Sequence, residues 1–105
     1  MSKKIRTMAV DHLFEAVLQL RDKEECYRFF EDVCTVNEIL SLSQRFEVAK
    51  MLTENKTYLE IAEQTGASTA TISRVNRSLN YGNDGYHLVS VISIVQRAVY
   101  TADRS

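Results

Sequence analysis

The sequence predicts an all-α fold, and two observations carry that reading. Apolar residues recur at intervals of three and four along most of the chain, which is the period of an amphipathic helix. Ahead of two such runs, Thr is followed three residues later by Glu, the arrangement in which a hydroxyl and a carboxylate satisfy the free amides of a helix start. The composition agrees, because 45% hydrophobic and 26% charged residues lie close to the averages for a globular protein.

Between Thr7 and Leu20, the residues Val10, Leu13, Phe14, Val17 and Leu18 predict a first helix. Asp22 can cap a second, because its carboxylate can accept a hydrogen bond from an unpaired amide; Glu24 and Glu25 suit the positive end of the helix dipole. Tyr27, Phe29, Phe30 and Val33 are expected to form its buried side. The third helix starts at Thr35, which pairs with Glu38 in the capping box TVNE, and runs to about Leu52. Thr57 and Glu60 repeat the device ahead of a short fourth helix, YLEIAEQT, that stops at Gly66. Ser68 can cap a fifth, from Thr69 to about Asn80. The stretch NYGNDG ends it, since Gly and Asn tolerate the left-handed conformation of helix termini. Leu88, Val91, Ile92, Val95 and Val99 then keep helical spacing and predict a sixth helix, although so much Val and Ile also suits a strand.

With 105 residues, three Gly and no Pro, the chain has the size of one domain and little to punctuate a linker, so residues 1–105 are expected to form a single domain. Charge interrupts every apolar stretch before the roughly 20 residues of a membrane span, and the start SKKIRTMAVDHLFEAV lacks a continuous apolar core. The expectation is a cytoplasmic protein with no membrane partner. Cys26 and Cys34 have neither CxxC spacing nor a histidine pair nearby, which points to reduced thiols rather than a metal site.

The stretch TGASTATISRVNRSLNYG, residues 65–82, is unusual in this chain because small hydroxylated side chains and two arginines replace bulky apolar ones. A helix-turn-helix requires a tight turn, a residue that accepts positive φ, and apolar residues that meet inside the corner. Ile61 and Ala62 precede Gly66, Ala67 follows it, and Ile72 and Val75 lie three apart beyond, so residues 57–80 meet each demand. Thr69, Ala70 and Ser73 then leave the outer face slim enough for a major groove, where hydroxyls and methyls can contact bases. Arg74 and Arg77 lie where they could reach phosphate or guanine. The opposing consideration is charge: the chain carries a formal net charge of −1, and residues 43–81 only +1. An ordinary helical hairpin with a polar outer face would show much of the same pattern.

The window LTENKTYLEIAEQTGASTATISRVNRSLNYGNDGY resembles the Trp repressor superfamily, in particular its Trp-repressor-like branch of the YerC/YecD type, over about half the chain from Thr35 to Tyr86. The resemblance implies a six-helix, intertwined homodimer presenting two helix-turn-helix units to a palindromic operator in double-stranded DNA, with half-sites about 34 to 36 Å apart. It implies DNA contacts from Ser68, Thr69, Ala70, Thr71, Ser73, Arg74 and Arg77. It also matches Thr35, Arg45, Arg74 and Ser78 to positions that hold the tryptophan corepressor, the first two through a one-residue deletion near Asn55. Where the repressor has glycine after its second arginine, this chain has Val75, so the resemblance leaves room for a small-molecule corepressor but disfavours L-tryptophan.

No catalytic constellation competes with this reading. His12 and His87 stand far apart, there is no Gly-rich phosphate loop, Cys34 has no identifiable base, and no cofactor is expected. The rival is a helical protein-interaction module with a degenerate helix-turn-helix. The basic start, Lys3, Lys4 and Arg6, could be an arm that touches DNA, but reads better as a disordered tail.

Overall fold

The computed structural model describes residues 4–89, which form six helices and no strand: α1 (Met8–Val17), α2 (Lys23–Val33), α3 (Val36–Thr53), α4 (Tyr58–Thr65), α5 (Thr69–Tyr81) and α6 (Gly85–Val89). The all-α expectation therefore holds. Beyond Val89, the expected sixth helix, with Val91, Ile92, Val95 and Val99, lies outside the described residues.

Each helix start anticipated from the sequence is built by the side chain expected to build it. Asp22 accepts a hydrogen bond from the Glu25 amide at 2.9 Å, and Arg21 clamps the Glu25 carboxylate from the preceding turn. At α3 the Thr35 amide donates to Glu38 at 2.8 Å while the Glu38 amide donates back to the Thr35 hydroxyl at 3.1 Å. Thr57 and Glu60 repeat the exchange at 2.9 and 3.1 Å ahead of α4. Ser68 accepts from the Thr71 amide at 3.1 Å and starts α5. Thr7 caps α1 in the same manner, through the Val10 amide at 3.2 Å.

The chain divides into two compact units, one ending at Ile39 and the other starting at Leu40. In the second, Val48, Ala49 and Met51 of α3, Ile61 of α4, Ala67 of the turn, and Ile72 and Val75 of α5 form a buried core. Phe46, Leu52, Ala62, Leu79 and Tyr86 pack around it. In the first unit no residue from position 4 to 39 is buried. The expectation that Tyr27, Phe29, Phe30 and Val33 form a buried side of α2 fails in this chain: Tyr27 and Val33 are 59% and 53% exposed, and the two phenylalanines are half-buried. The spacing identified an apolar face correctly, but nothing in this unit covers it.

Two glycines act for different physical reasons. Gly66 ends α4 in the left-handed conformation, at φ 73° and ψ 6°, and its amide donates to the Ala62 carbonyl at 2.9 Å. Gly82 ends α5 with φ −88° and ψ −151°, so the expectation of a left-handed terminus there is corrected. Its requirement is steric, because a Cβ at Gly82 would collide with the Ser78 carbonyl. The left-handed residue of NYGNDG is Asp84, at φ 62°.

Two outcomes follow for stability. Open space surrounds the Cβ direction at both Gly66 and Gly85, and only Gly66 has positive φ. Thermal or denaturant unfolding of Gly66→Ala should therefore show a loss of about 1–2 kcal/mol, while Gly85→Ala is neutral or slightly stabilising; equal effects would refute this account of the turn. The second outcome concerns acid. The Glu38 and Glu60 carboxylates are held below the usual range, chiefly by the amides of Thr35 and Thr57 and then by their hydroxyls. A lowered folded value means that the stabilisation is complete above the ordinary glutamate value of about 4.3 and is lost as pH falls through the folded values. The melting temperature should accordingly drop below about pH 4.3, with a shallower acid limb in the double variant Glu38→Gln, Glu60→Gln. An unchanged limb would show that the boxes contribute nothing to it.

Candidate nucleic-acid interface

The site is built on the corner between α4 and α5. Ile61, Ile72 and Val75 are 0%, 0% and 2% exposed, and they meet Val48 of α3 in the core, as the inward pattern predicted. At 100° per residue, burying Ile72, Val75 and Leu79 turns the opposite side of α5 to solvent. Thr69, Ser73 and Arg77 occupy one row of that side, and Ala70, Arg74 and Ser78 the next; all six are exposed. Thr71 flanks them, half-buried.

Hydrogen bonding divides the hydroxyls of this helix by role. The Ser68 hydroxyl accepts from the Thr71 amide and donates to the Thr71 hydroxyl at 3.1 Å, so it is committed to organising the helix start. Those of Thr69 and Ser73 have no hydrogen-bond partner among the described residues and face outward. They are the groups free to address another molecule.

Charge is concentrated where the summed composition hides it. Helix α5 contains no acidic residue and two arginines. Among the described residues the ion pairs are Arg21 with Glu25 and Lys50 with Glu54, so Arg74 and Arg77 are free of carboxylate partners. A +2 helix whose outer surface is otherwise small and hydroxylated suits a polyanion, since guanidinium groups donate in a fixed fork that matches phosphate and the guanine edge.

The residues matched to a ligand pocket are dispersed in their roles. Thr35 spends its amide and hydroxyl on the capping box with Glu38. The Arg45 guanidinium donates to the Ser41 hydroxyl at 3.3 Å, within α3. Ser78 lines a cleft of about 520 Å³ with Phe46, Gly82, Tyr86 and Val89, and that lining includes neither Arg45 nor Arg74. Val75 is sealed into the core beside Arg74. Lys4 and Arg6 are exposed, and Lys3 lies outside the described residues. Cys26 and Cys34 are free thiols.

Two polar contacts around α5 were absent from the sequence reading. The His87 Nε2 lies 2.9 Å from the Leu79 carbonyl, so the imidazole donates there and caps the C-terminal end of α5 from α6. The Gln44 side-chain amide donates to the Thr65 carbonyl at 3.0 Å, joining α3 to the turn. Neither has a sequence signature, because a lone His or Gln on a helix is compatible with many roles.

Comparison with known proteins agrees with this geometry. The family model of the Trp repressor protein matches residues 8–91. The uncharacterized protein YerC of Bacillus subtilis (strain 168) is 62% identical over 85 residues, covering 81% of this chain and 82% of YerC. The crystal structure of a TrpR-like protein from Eubacterium eligens superposes with a TM-score of 0.80 at 75% identity, covering 83% of this chain and 90% of that one. A candidate Trp repressor from Staphylococcus aureus superposes with a TM-score of 0.79 at 59% identity, covering 83% and 87%. Matched in sequence over most of its length and in fold to solved relatives, the chain belongs to the Trp repressor family.

Proposed function

We propose that this chain is a sequence-specific DNA-binding transcriptional regulator, a repressor, working in the cytoplasm as a homodimer of one Trp-repressor-like domain per chain, residues 1–105. The observation that carries the reading is α5 itself: an exposed face of Thr69, Ala70 and Ser73 continued by two arginines without acidic partners among the described residues, presented by a glycine-hinged corner. Thr69, Ala70 and Ser73 approach base edges. Arg74, Arg77 and Thr71 meet phosphate, and Ser68 orients the helix start. Membership of a regulator family supports the same conclusion and offers no support for an enzyme. No helix among the described residues is long and apolar enough to cross a membrane.

The homodimer rests on the first unit. Met8, Phe14 and Leu18 of its first helix and turn are 74%, 55% and 83% exposed, with Tyr27 and Val33 similarly open. Large apolar side chains left exposed on both helices mark an interaction site, and a second copy of the chain would cover them. Two copies also double a modest positive charge into a useful one. The proposed operator is accordingly palindromic, with half-sites about one helical turn apart.

Control by a small molecule belongs to the proposal, with Thr35, Arg45, Arg74 and Ser78 as its residues and a ligand other than L-tryptophan. Where the repressor has glycine this chain has Val75, whose isopropyl group would occupy space near an indole ring.

Fluorescence anisotropy on a selected duplex and a random one tests the interface. Arg77→Ala should weaken both about equally and flatten the salt dependence, whereas Thr69→Ala and Ser73→Ala should chiefly reduce the preference between duplexes, by roughly 1–3 kcal/mol for a base-reading contact. Binding indifferent to salt would favour the protein-interaction module instead. For assembly, sedimentation should give the mass of two chains, and substituting Phe14 or Tyr27 by Lys should release monomers. A wild-type monomer would end the dimer proposal.

A further inference from the structure

The last four carbonyls of a helix have no partner within it, and water ordinarily satisfies them when they are exposed. At the end of α4 the chain supplies its own donor instead. Gln44, 21 residues earlier on α3, places its side-chain amide 3.0 Å from the Thr65 carbonyl in a partly buried position. Among the described residues no other side-chain hydrogen bond joins positions so far apart in sequence.

The remaining bonds of the turn are local. The Thr65 hydroxyl donates to the Ile61 carbonyl at 2.7 Å and accepts from the Ala67 amide at 3.1 Å, and the Gly66 amide donates to the Ala62 carbonyl at 2.9 Å. These bonds shape the turn without attaching it to α3. The apolar contacts of Val48, Ile61, Ile72 and Val75 do attach it, but the driving force that forms them is non-directional. A hydrogen bond depends on both distance and angle. Gln44 lies one turn before Val48 on the same face of α3, so the directional contact and the apolar one act on neighbouring parts of the corner.

We infer that Gln44 is a positioning residue, which fixes the turn at Thr65 to α3 and so sets the direction in which α5 presents Thr69, Ser73 and Arg77. The inference rests on the DNA-binding reading for its effect on affinity, but the tether itself can be read without DNA. It assigns part of the preorganisation of the corner to the chain's own side chain. An amide is the suited group here, since a carboxylate at the same place would set its negative charge against the carbonyl oxygen.

The test uses the full chain as wild type, Gln44→Leu and Gln44→Glu, with anisotropy on the selected duplex and amide hydrogen exchange in the absence of DNA. Gln44→Leu should lose roughly three- to tenfold in affinity, the effect of one hydrogen bond. Its hydrogen-bonded turn amides, those of Gly66 and Ala67, should exchange faster while those of α1 and α2 are unchanged. Gln44→Glu should bind more weakly than Gln44→Leu at about pH 8, where its charge faces the Thr65 carbonyl, and regain affinity relative to wild type toward about pH 5, because that carbonyl and partial burial favour the protonated carboxyl, which can donate to Thr65. Wild type is the control for Glu47, the titratable group lining the same cleft. Wild-type affinity and exchange in both variants would overturn the inference, as would a loss in Gln44→Glu that ignores pH. Should Gln44→Leu not fold, the pH dependence of Gln44→Glu decides alone. A wild-type chain that binds no duplex would sink the proposed function, while exchange at Gly66 and Ala67 would still confirm or refute the tether.

Discussion

The left-handed turn at Gly66 is the constraint on which the rest of the second unit depends. A helix continued through this position would carry Ile72 and Val75 away from Ile61, and the core they share with Val48 would not close. Positive φ costs an ordinary residue of the order of 1–2 kcal/mol, a sizeable part of a small domain's stability, so glycine suits the point where the chain must reverse. The Ala67 amide, freed by the reversal, is taken by the Thr65 hydroxyl, and the Ser68 hydroxyl opens the next helix. Within three residues the chain has ended one helix, turned, and begun another with these backbone groups satisfied.

Closing that corner separates the two sides of α5. The apolar side is used up in the core, which leaves the hydroxylated and cationic side with no structural duty among the described residues. This is why a chain of net charge −1 can still present a cationic surface: the acidic residues of the second unit lie outside α5, and one of them, Glu54, is occupied by Lys50. Electrostatic attraction to a polyanion depends on local placement within about a Debye length, roughly 8–10 Å at ordinary ionic strength, more than on the sum over the molecule.

The first unit shows the opposite economy. Its helices are well capped, with Asp22 and Thr7 at their starts, and yet none of its described residues is buried. Local hydrogen bonds can define helices without a core, but isolated helices of ten or eleven residues are marginal in water. Apolar side chains left open on both helices give the proposed second copy a reason to bind that is independent of DNA. Stability and symmetry would then arise from the same contact.

Much of this protein was legible in its sequence wherever the determining interaction spans three or four residues. The capping boxes at Thr35 and Thr57, the caps at Asp22 and Ser68, the stop at Gly66 and the inward pair Ile72 and Val75 all belong to that class, since a helix start depends on side chains one turn away. Periodicity likewise revealed the apolar face of α2, but it could not say whether that face is covered, because burial depends on what lies opposite. Tertiary structure alone decided the Gln44 bond to Thr65, the His87 cap on α5 and the steric reason for glycine at position 82. Each of these depends on distances across a fold or on the exact path of the backbone, quantities that residue spacing does not encode.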